Sequence, residues 1–366
     1  MQDRLPLHRS PDSLNALQIE VRPSYDDLQQ AAEWFAALRA EDAGDAERQR
    51  WRQWLDENDG HRAAWKRVEA VNAEFGIMPA AVGHRVLARN GQRRRKAIKT
   101  LAWLAAGVTV AGSLGGSREL RGYLAAMNAQ YRTGVGQVER QQLADGSLLW
   151  LNTASAADSD YSDVLRRVIL QRGEIMIETA HDQRTPARPL VVDVPAGRMQ
   201  ALGTRFLVRL DGRSTVLSVL QGKVMVTPSG RGTPTLVEAG SRVRFDADAV
   251  DAPSAADDSM GAWSRKLLMP DGMRLDVFLA ELGRYRHGYL GCAPEVAALP
   301  LVGVYPLDDT DRVLRALEAS LPVRVRRILP WWVSVEPAQA TDKPGKPHPP
   351  AASGTSGTSG TSGAAG

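Results

Sequence analysis

The sequence predicts a multidomain chain: a small all-α bundle, one transmembrane helix, an all-β domain and a small α+β unit toward the C-terminal end. Three observations carry this. Tryptophan-marked apolar positions recur at helical spacing before residue 90, an uncharged apolar segment follows a basic cluster near residue 100, and from Tyr131 the apolar period drops to two. At roughly 150 residues per domain, 366 residues hold two or three domains. A mean hydropathy of -0.29 excludes a polytopic membrane protein. The single cysteine, Cys292, excludes a disulfide-stapled scaffold and reads as a small buried residue or an incidental thiol.

Residues 1–23 have no apolar period and read as a flexible leader without the central apolar stretch of a signal peptide. Ser24 can cap a first helix with Asp26 and Asp27 in its first turn, and Leu28, Ala31, Phe35 and Leu38 recur at helical spacing. A second helix is predicted from Asp45 to Asn58, with Trp51, Trp54 and Leu55 on one face and Asp59-Gly60 as its break. A third begins near His61, with Ala64, Trp65, Val68 and Val71 on one stripe, and a short fourth is placed from Ala80 to Asn90. These helices make a bundle over residues 24–90 that contains four of the nine tryptophans.

Residues 97–117 are the predicted span. They follow Arg93, Arg94, Arg95 and Lys96, include Lys99, and are uncharged from Thr100 to Ser117. The alternative is a buried core helix, but the cations lie on one side only, as the positive-inside rule requires, which places the bundle in the cytoplasm and everything after Arg118 across the membrane. The overall charge of +4 belongs to this cluster, since without its five cations the remaining basic residues are one fewer than the 42 acidic ones.

Over residues 131–250, alternating pairs such as Val168 and Leu170, Ile175 and Ile177, and Phe206 and Val208 mark short strands. Turn formers separate them, among them Asp145-Gly146, Gly173, Asp211-Gly212 and Gly222. Asp246 to Ser259 reads as a linker. Over 260–336 the pattern mixes: strands at Trp263–Leu268, Leu301–Tyr305 and Val323–Ile328, with helical stripes at Leu275, Phe278, Leu279 and Leu282 and at Val313, Leu314 and Leu317. The tail, 338–366, is too poor in apolar residues to fold and is expected to be disordered.

Between Ala31 and Glu336 the chain resembles the FecR family of transmembrane anti-sigma regulators. The bundle carries Ala32-Glu33-Trp34, Trp51-Arg52-Gln53-Trp54-Leu55 and His61-Arg62-Ala63-Ala64-Trp65. The β domain carries Leu143-Ala144-Asp145-Gly146-Ser147, Leu151-Asn152-Thr153-Ala154-Ser155, Leu170-Gln171-Arg172-Gly173-Glu174, Ala201-Leu202-Gly203-Thr204-Arg205-Phe206-Leu207-Val208 and Leu220-Gln221-Gly222-Lys223-Val224, in that order. Met273 to Ile328 is similar, more loosely, to the secretin/TonB short N-terminal domain. The resemblance implies an all-α cytoplasmic bundle that holds an extracytoplasmic-function sigma factor, an inner-membrane anchor crossing once, and an all-β periplasmic domain. It also implies that the periplasmic part receives a signal from a TonB-dependent outer-membrane receptor for ferric siderophores in iron uptake, and that site-specific proteases then cut the regulator stepwise.

Trp34, Trp51, Trp54 and Trp65 are candidate sigma-binding residues, helped by Arg48, Arg52 and Arg62, because so small a bundle can hardly bury four indoles; the competing reading is a packed core. Arg94, Arg95 and Lys99 are candidate export and topology residues, either as flanking charge or as an internal twin-arginine signal. Gly203 and Thr204 are a candidate self-cleavage pair, at which members of the resembled family cut themselves: the threonine hydroxyl can attack the glycine carbonyl by an N-to-O acyl shift, and the competing reading is a tight turn into a strand. Leu301, Val302, Val304, Arg324 and Arg326, with Arg327, are candidate receptor-binding residues on strands that either pack normally or offer an edge to a partner sheet. No spacing of His, Cys, Asp or Glu resembles a metal site, no cofactor motif is found, and no enzyme acting on an external substrate is expected. The competing functions are a membrane-anchored DNA-binding regulator using His61, Arg62, Lys66 and Arg67, and an autoprocessing envelope protein.

Overall fold

The computed structural model describes residues 21–39, 44–77 and 126–338. Three helices come first, α1 (Tyr25–Ala37), α2 (Asp45–Glu57) and α3 (Asp59–Ile77). Ser24 caps α1 as expected: its hydroxyl accepts the Asp27 N–H at 3.0 Å, and the Asp27 carboxylate accepts the Ser24 N–H at 2.9 Å, a complete capping box. The break between α2 and α3 falls at Asn58, one residue before the expected Asp59-Gly60, because Asn58 Oδ1 accepts the His61 N–H at 2.8 Å and starts the next helix at once. The predicted fourth helix lies outside the described residues, and so do the leader up to residue 20, the span 97–117 and the tail from residue 339. Among the described residues no helix is long and apolar enough to cross a membrane.

The β domain runs through β1 (Tyr131–Arg132), β2 (Glu139–Gln142), β3 (Leu148–Leu151), β4 (Ala156–Tyr161), β5 (Arg166–Arg172), β6 (Glu174–Glu178), β7 (Leu190–Val194), β8 (Gly197–Ala201), β9 (Arg205–Asp211), β10 (Ser214–Gln221), β11 (Lys223–Pro228), β12 (Thr235–Glu238), β13 (Ser241–Phe245) and β14 (Ser254–Ala255). They form two seven-stranded sheets with the orders β1-β4-β5-β7-β8-β11-β12 and β14-β13-β10-β9-β6-β3-β2. Period-two alternation closes them face to face. Val168, Leu170, Val192 and Met199 of the first sheet meet Leu149, Ile175, Ile177, Phe206, Val208 and Leu217 of the second. The expected linker at 246–259 is partly structured, since Val250 bridges back to Phe245 and β14 pairs with β13.

The second sheet is apolar on its outer side as well, where Met176 and Leu207 alternate with the inward residues. That outer side is covered by the C-terminal α+β unit. Its elements are a 3-10 helix (Asp258–Arg265), β15 (Leu267–Leu268), β16 (Asp271–Arg274), α4 (Leu275–Gly283), β17 (Tyr289–Cys292), β18 (Pro300–Val302), β19 (Tyr305–Pro306), α5 (Thr310–Ser320), β20 (Val323–Leu329) and β21 (Trp332–Pro337). The strand expected at Trp263–Leu268 is mostly this 3-10 turn: Asp257 caps it through the Ser259 N–H at 2.8 Å, and Trp263 is buried with Met176 and Leu207 in one apolar cluster. The strand expected at Leu301–Tyr305 is broken at Gly303, whose φ of +147° splits it into β18 and β19 with different partners. The two predicted helices hold, with Leu275, Phe278, Leu279, Leu282, Val313, Leu314 and Leu317 all buried. Together with Val333 and Val335, which face them from the sheet β17-β21-β20, they form one apolar cluster.

The other face of that sheet carries Tyr289, Trp332 and Ser334, and the helical bundle covers it. Phe35 meets Trp331 edge-on with ring centroids 5.6 Å apart, Tyr289 stacks on Trp332 at 4.0 Å, and Glu33 pairs with Arg326 at 2.6 Å. Gln29 and Tyr25 both hydrogen-bond the Ser334 hydroxyl, and burial pushes the Tyr25 phenol up to about 12.

Candidate functional site

The four tryptophans of the bundle fall into one aromatic cluster. Trp54 is 6% exposed, stacks on His61 at 4.3 Å and donates to Gln30 Oε1 at 2.8 Å. Trp51 packs on Trp65 at 4.9 Å, and Trp65 on Phe35 at 5.7 Å; Trp34, Trp51 and Trp65 are half-buried at the cluster's edge. The indoles thus serve the core and, in this arrangement, border the seat of Trp331 and Trp332. The groove-reading alternative for α3 loses its first residue: His61 is 7% exposed, with Nδ1 2.7 Å from the Trp54 carbonyl, and Arg62 is tied to the Leu55 carbonyl at 3.0 Å.

Of the residues expected to meet a receptor, Leu301 is 3% exposed and belongs to the α+β core, so its side chain is unavailable for docking. Val302 and Val304 stand out at 71% and 58% exposure. Arg324 and Arg326 both lean on Glu336 at 3.6 Å, and Arg326 also holds Glu33, so they are already paired with acids of this chain. Arg94, Arg95 and Lys99 lie outside the described residues.

The β-domain motifs interlock. Ala154 has a φ of +51° and Gly173 of +82°, and a Cβ on Gly173 would sit 2.3 Å from Ser155 Oγ, so only glycine lets these two turns touch. Ser155 Oγ accepts the Glu174 N–H at 2.9 Å, and Asn152 Nδ2 donates to Glu174 Oε2 at 2.9 Å. From the α+β unit, Arg284 reaches the same carboxylate at 2.7 Å and Tyr285 OH donates to Asn152 Oδ1 at 2.8 Å. Burial opposes the charge on Arg284, but Glu174 and Glu281 overcome it and hold the guanidinium protonated more firmly than usual. Burial likewise works to raise the Glu281 carboxyl, yet Arg209 and Arg284 keep it below the ordinary range. Sequence reasoning picked out the motif pieces Asn152-Thr153 and Gly173-Glu174 without their task, which is to lock the α+β unit to the sandwich. Asp145 organises the other motif turn. Burial pushes its carboxyl up, while bonds from Ser147, Arg166 and Tyr161 bring it below the usual carboxylate value.

Gly203 and Thr204 sit in the turn between β8 and β9. Gly203 has a φ of +72°, which supports the turn reading. Thr204 is 5% exposed, and its hydroxyl is buried without a hydrogen-bond partner, which costs about 1–3 kcal/mol for such a group. Its N–H donates to Thr179 Oγ1 at 2.7 Å. Thr179 was not singled out from the sequence, and no periodicity could have found it, because the contact is between two strand ends. Cys292 is half-buried, and burial pushes its thiol up to about 11.

Comparison with known proteins matches residues 129–225 to the FecR protein family and residues 29–71 to a domain of unknown function, DUF4880. The matched stretches contain the motif pieces from Leu143 to Val224 and most of the tryptophan-marked bundle, whereas the α+β unit lies outside both. No curated protein matches the chain. Two crystal structures of a proposed anti-sigma factor from Parabacteroides distasonis ATCC 8503 superimpose with TM-scores of 0.47 and 0.46 at 18% identity. Each covers 57% of this chain and nearly all of its own, 99% and 98%. Residues 129–225 thus match the model of the FecR protein family, downstream of the DUF4880 match at residues 29–71.

Proposed function

We propose that the chain is a single-pass inner-membrane anti-sigma regulator whose cytoplasmic bundle binds an extracytoplasmic-function sigma factor. Its periplasmic part then relays a signal from a TonB-dependent outer-membrane receptor, and site-specific proteolysis releases the bundle. The observation that carries this reading is the order of the two matched domains, a tryptophan-rich DUF4880 bundle ahead of a FecR domain, with the basic cluster and apolar segment of 93–117 between them. Threading that segment through a membrane separates the bundle from the sheet that covers it here. Phe35, Trp34 and Trp65 are then exposed to the sigma factor, and Tyr289 and Trp332 to the signalling partner. The test is co-purification of the detergent-solubilised full chain with the extracytoplasmic-function sigma factors of its own genome. One is retained, and Trp65→Ala with Trp34→Ala weakens its retention. Retention of none sinks the reading.

Self-cleavage between Gly203 and Thr204 is a second reading, favoured by the buried, unpartnered Thr204 hydroxyl beside a left-handed glycine. Thr215 also has an unpartnered buried hydroxyl, but the residue before it is Ser214, already inside β10, and the left-handed Gly212 stands three positions back. Wild-type chain should run as two fragments on a denaturing gel and Thr204→Ala as one.

A further inference from the structure

The inference here rests on the self-cleavage reading and assigns the residues that hold the reacting bond. Strands β6 and β9 pair antiparallel, with Glu178 opposite Arg205, and one step further the Thr179 N–H donates to the Thr204 carbonyl at 2.9 Å. In an antiparallel ladder the return bond of such a pair runs from the Thr204 N–H to the Thr179 carbonyl. Here the Thr204 N–H turns to the Thr179 hydroxyl at 2.7 Å, and that hydroxyl lies 3.2 Å from the Thr204 carbonyl, to which it donates. On the opposite side is Gly222. A Cβ there would lie 2.1 Å from the Gly203 carbonyl oxygen and 2.8 Å from Thr204 Cγ2, so the bare Cα of Gly222 is what lets this turn close. With the Thr204 methyl seated near Gly222, its Oγ1 is left buried and unpartnered.

We propose that Thr179 holds the scissile nitrogen for the acyl shift, and that Gly222 positions the glycine carbonyl from the other side. In the shift, Thr204 Oγ1 bonds to the Gly203 carbonyl carbon, the carbon–nitrogen bond breaks, and the hydroxyl proton ends on the nitrogen, which becomes a free α-amine. Water then adds to the ester, the carbon–oxygen bond breaks, and a Gly203 carboxylate and the Thr204 hydroxyl result. The nitrogen must therefore gain a proton as it leaves the amide plane. A ladder carbonyl can only accept from it, whereas a hydroxyl can accept its N–H and also pass a proton toward it. That is the physical content of the exchanged hydrogen bond.

The experiment uses the full chain, made by cell-free synthesis in detergent, followed over time on a denaturing gel with mass analysis of the fragment that begins at Thr204. Wild type splits, Thr204→Ala stays whole, Thr179→Val slows the split by roughly tenfold or more, and Thr179→Ser restores it. Hydroxylamine, which attacks esters and spares amides, speeds release from wild type and does not rescue Thr179→Val, because the lost step precedes the ester. Thr179→Val splitting at the wild-type rate while Thr204→Ala stays whole overturns the role of Thr179 and leaves the cleavage reading intact. A Thr179→Ser chain as slow as Thr179→Val also overturns it, since packing and not the hydroxyl would then be at stake. A wild-type chain that stays whole overturns both.

Discussion

At Gly222 and Gly240 the backbone adopts nearly the same left-handed conformation, with φ of +76° and +79°, but their surroundings differ. A Cβ at Gly240 meets nothing within 4 Å, while one at Gly222 runs into the Gly203 carbonyl. Gly240→Ala should therefore cost only the left-handed penalty of about 1–2 kcal/mol, and Gly222→Ala clearly more. Thermal unfolding of the two variants checks this, and equal losses would remove the close approach from the account. Both glycines can be read from the sequence as turn formers. What separates them is a contact between the β10–β11 turn and the neighbouring β8–β9 turn, which no local pattern encodes. The same holds for Asp145, which is recognisable as half of an Asp-Gly turn, while Arg166, its buried partner at 2.7 Å, comes from a different strand.

Among the elements, the packing of α4 on the sandwich is a polar joint between the α+β unit and the β domain. Arg284 bridges Glu174 of β6 and Glu281 of α4, and Tyr285 reaches Asn152. Removing the cation alone, as in Arg284→Met, leaves Glu174 at 9% side-chain exposure without its charge partner and should cost about 3–5 kcal/mol in denaturant unfolding. Pairing it with Glu174→Gln should cost less than the two single losses added, which a double-mutant cycle measures. Glu281 predicts an acid limb. Its folded carboxyl is held below the ordinary value of about 4.3, so its contribution is present above that value and is lost as pH falls through the folded one. Wild-type stability should drop more steeply below pH of about 4 than that of Glu281→Gln. The helix itself was legible, since Leu275, Phe278, Leu279 and Leu282 keep a strict helical spacing, and all four are buried. The strand expected at Trp263–Leu268 was not, because Ser264-Arg265-Lys266 between Trp263 and Leu267 leaves too short a pattern to tell a strand from a tight turn, and the Asp257 cap decides between them.

Across the whole molecule, the bundle and the C-terminal sheet share one aromatic interface although about 290 residues of chain separate Glu33 from Arg326. This contact and a membrane crossing at 97–117 are alternatives for a single chain. Cysteines placed as Glu33→Cys and Arg326→Cys, in a Cys292→Ser background, should be joined within one chain by a short bismaleimide when the protein is in detergent. In the chain inserted in sealed vesicles the product should be missing. An equal yield in both states would place the two modules on one side of the membrane. By itself the sequence determined the first three helices, the alternating strands of an all-β domain, the helices of the α+β unit and the single concentration of positive charge, because each is written in a short-range period or cluster. Only the tertiary structure decided which turns touch, that Thr179 takes the Thr204 N–H from the ladder, and that Trp331 and Trp332 seat the bundle. Those contacts join residues far apart in the chain, and their energy depends on what lies opposite, which local spacing does not carry.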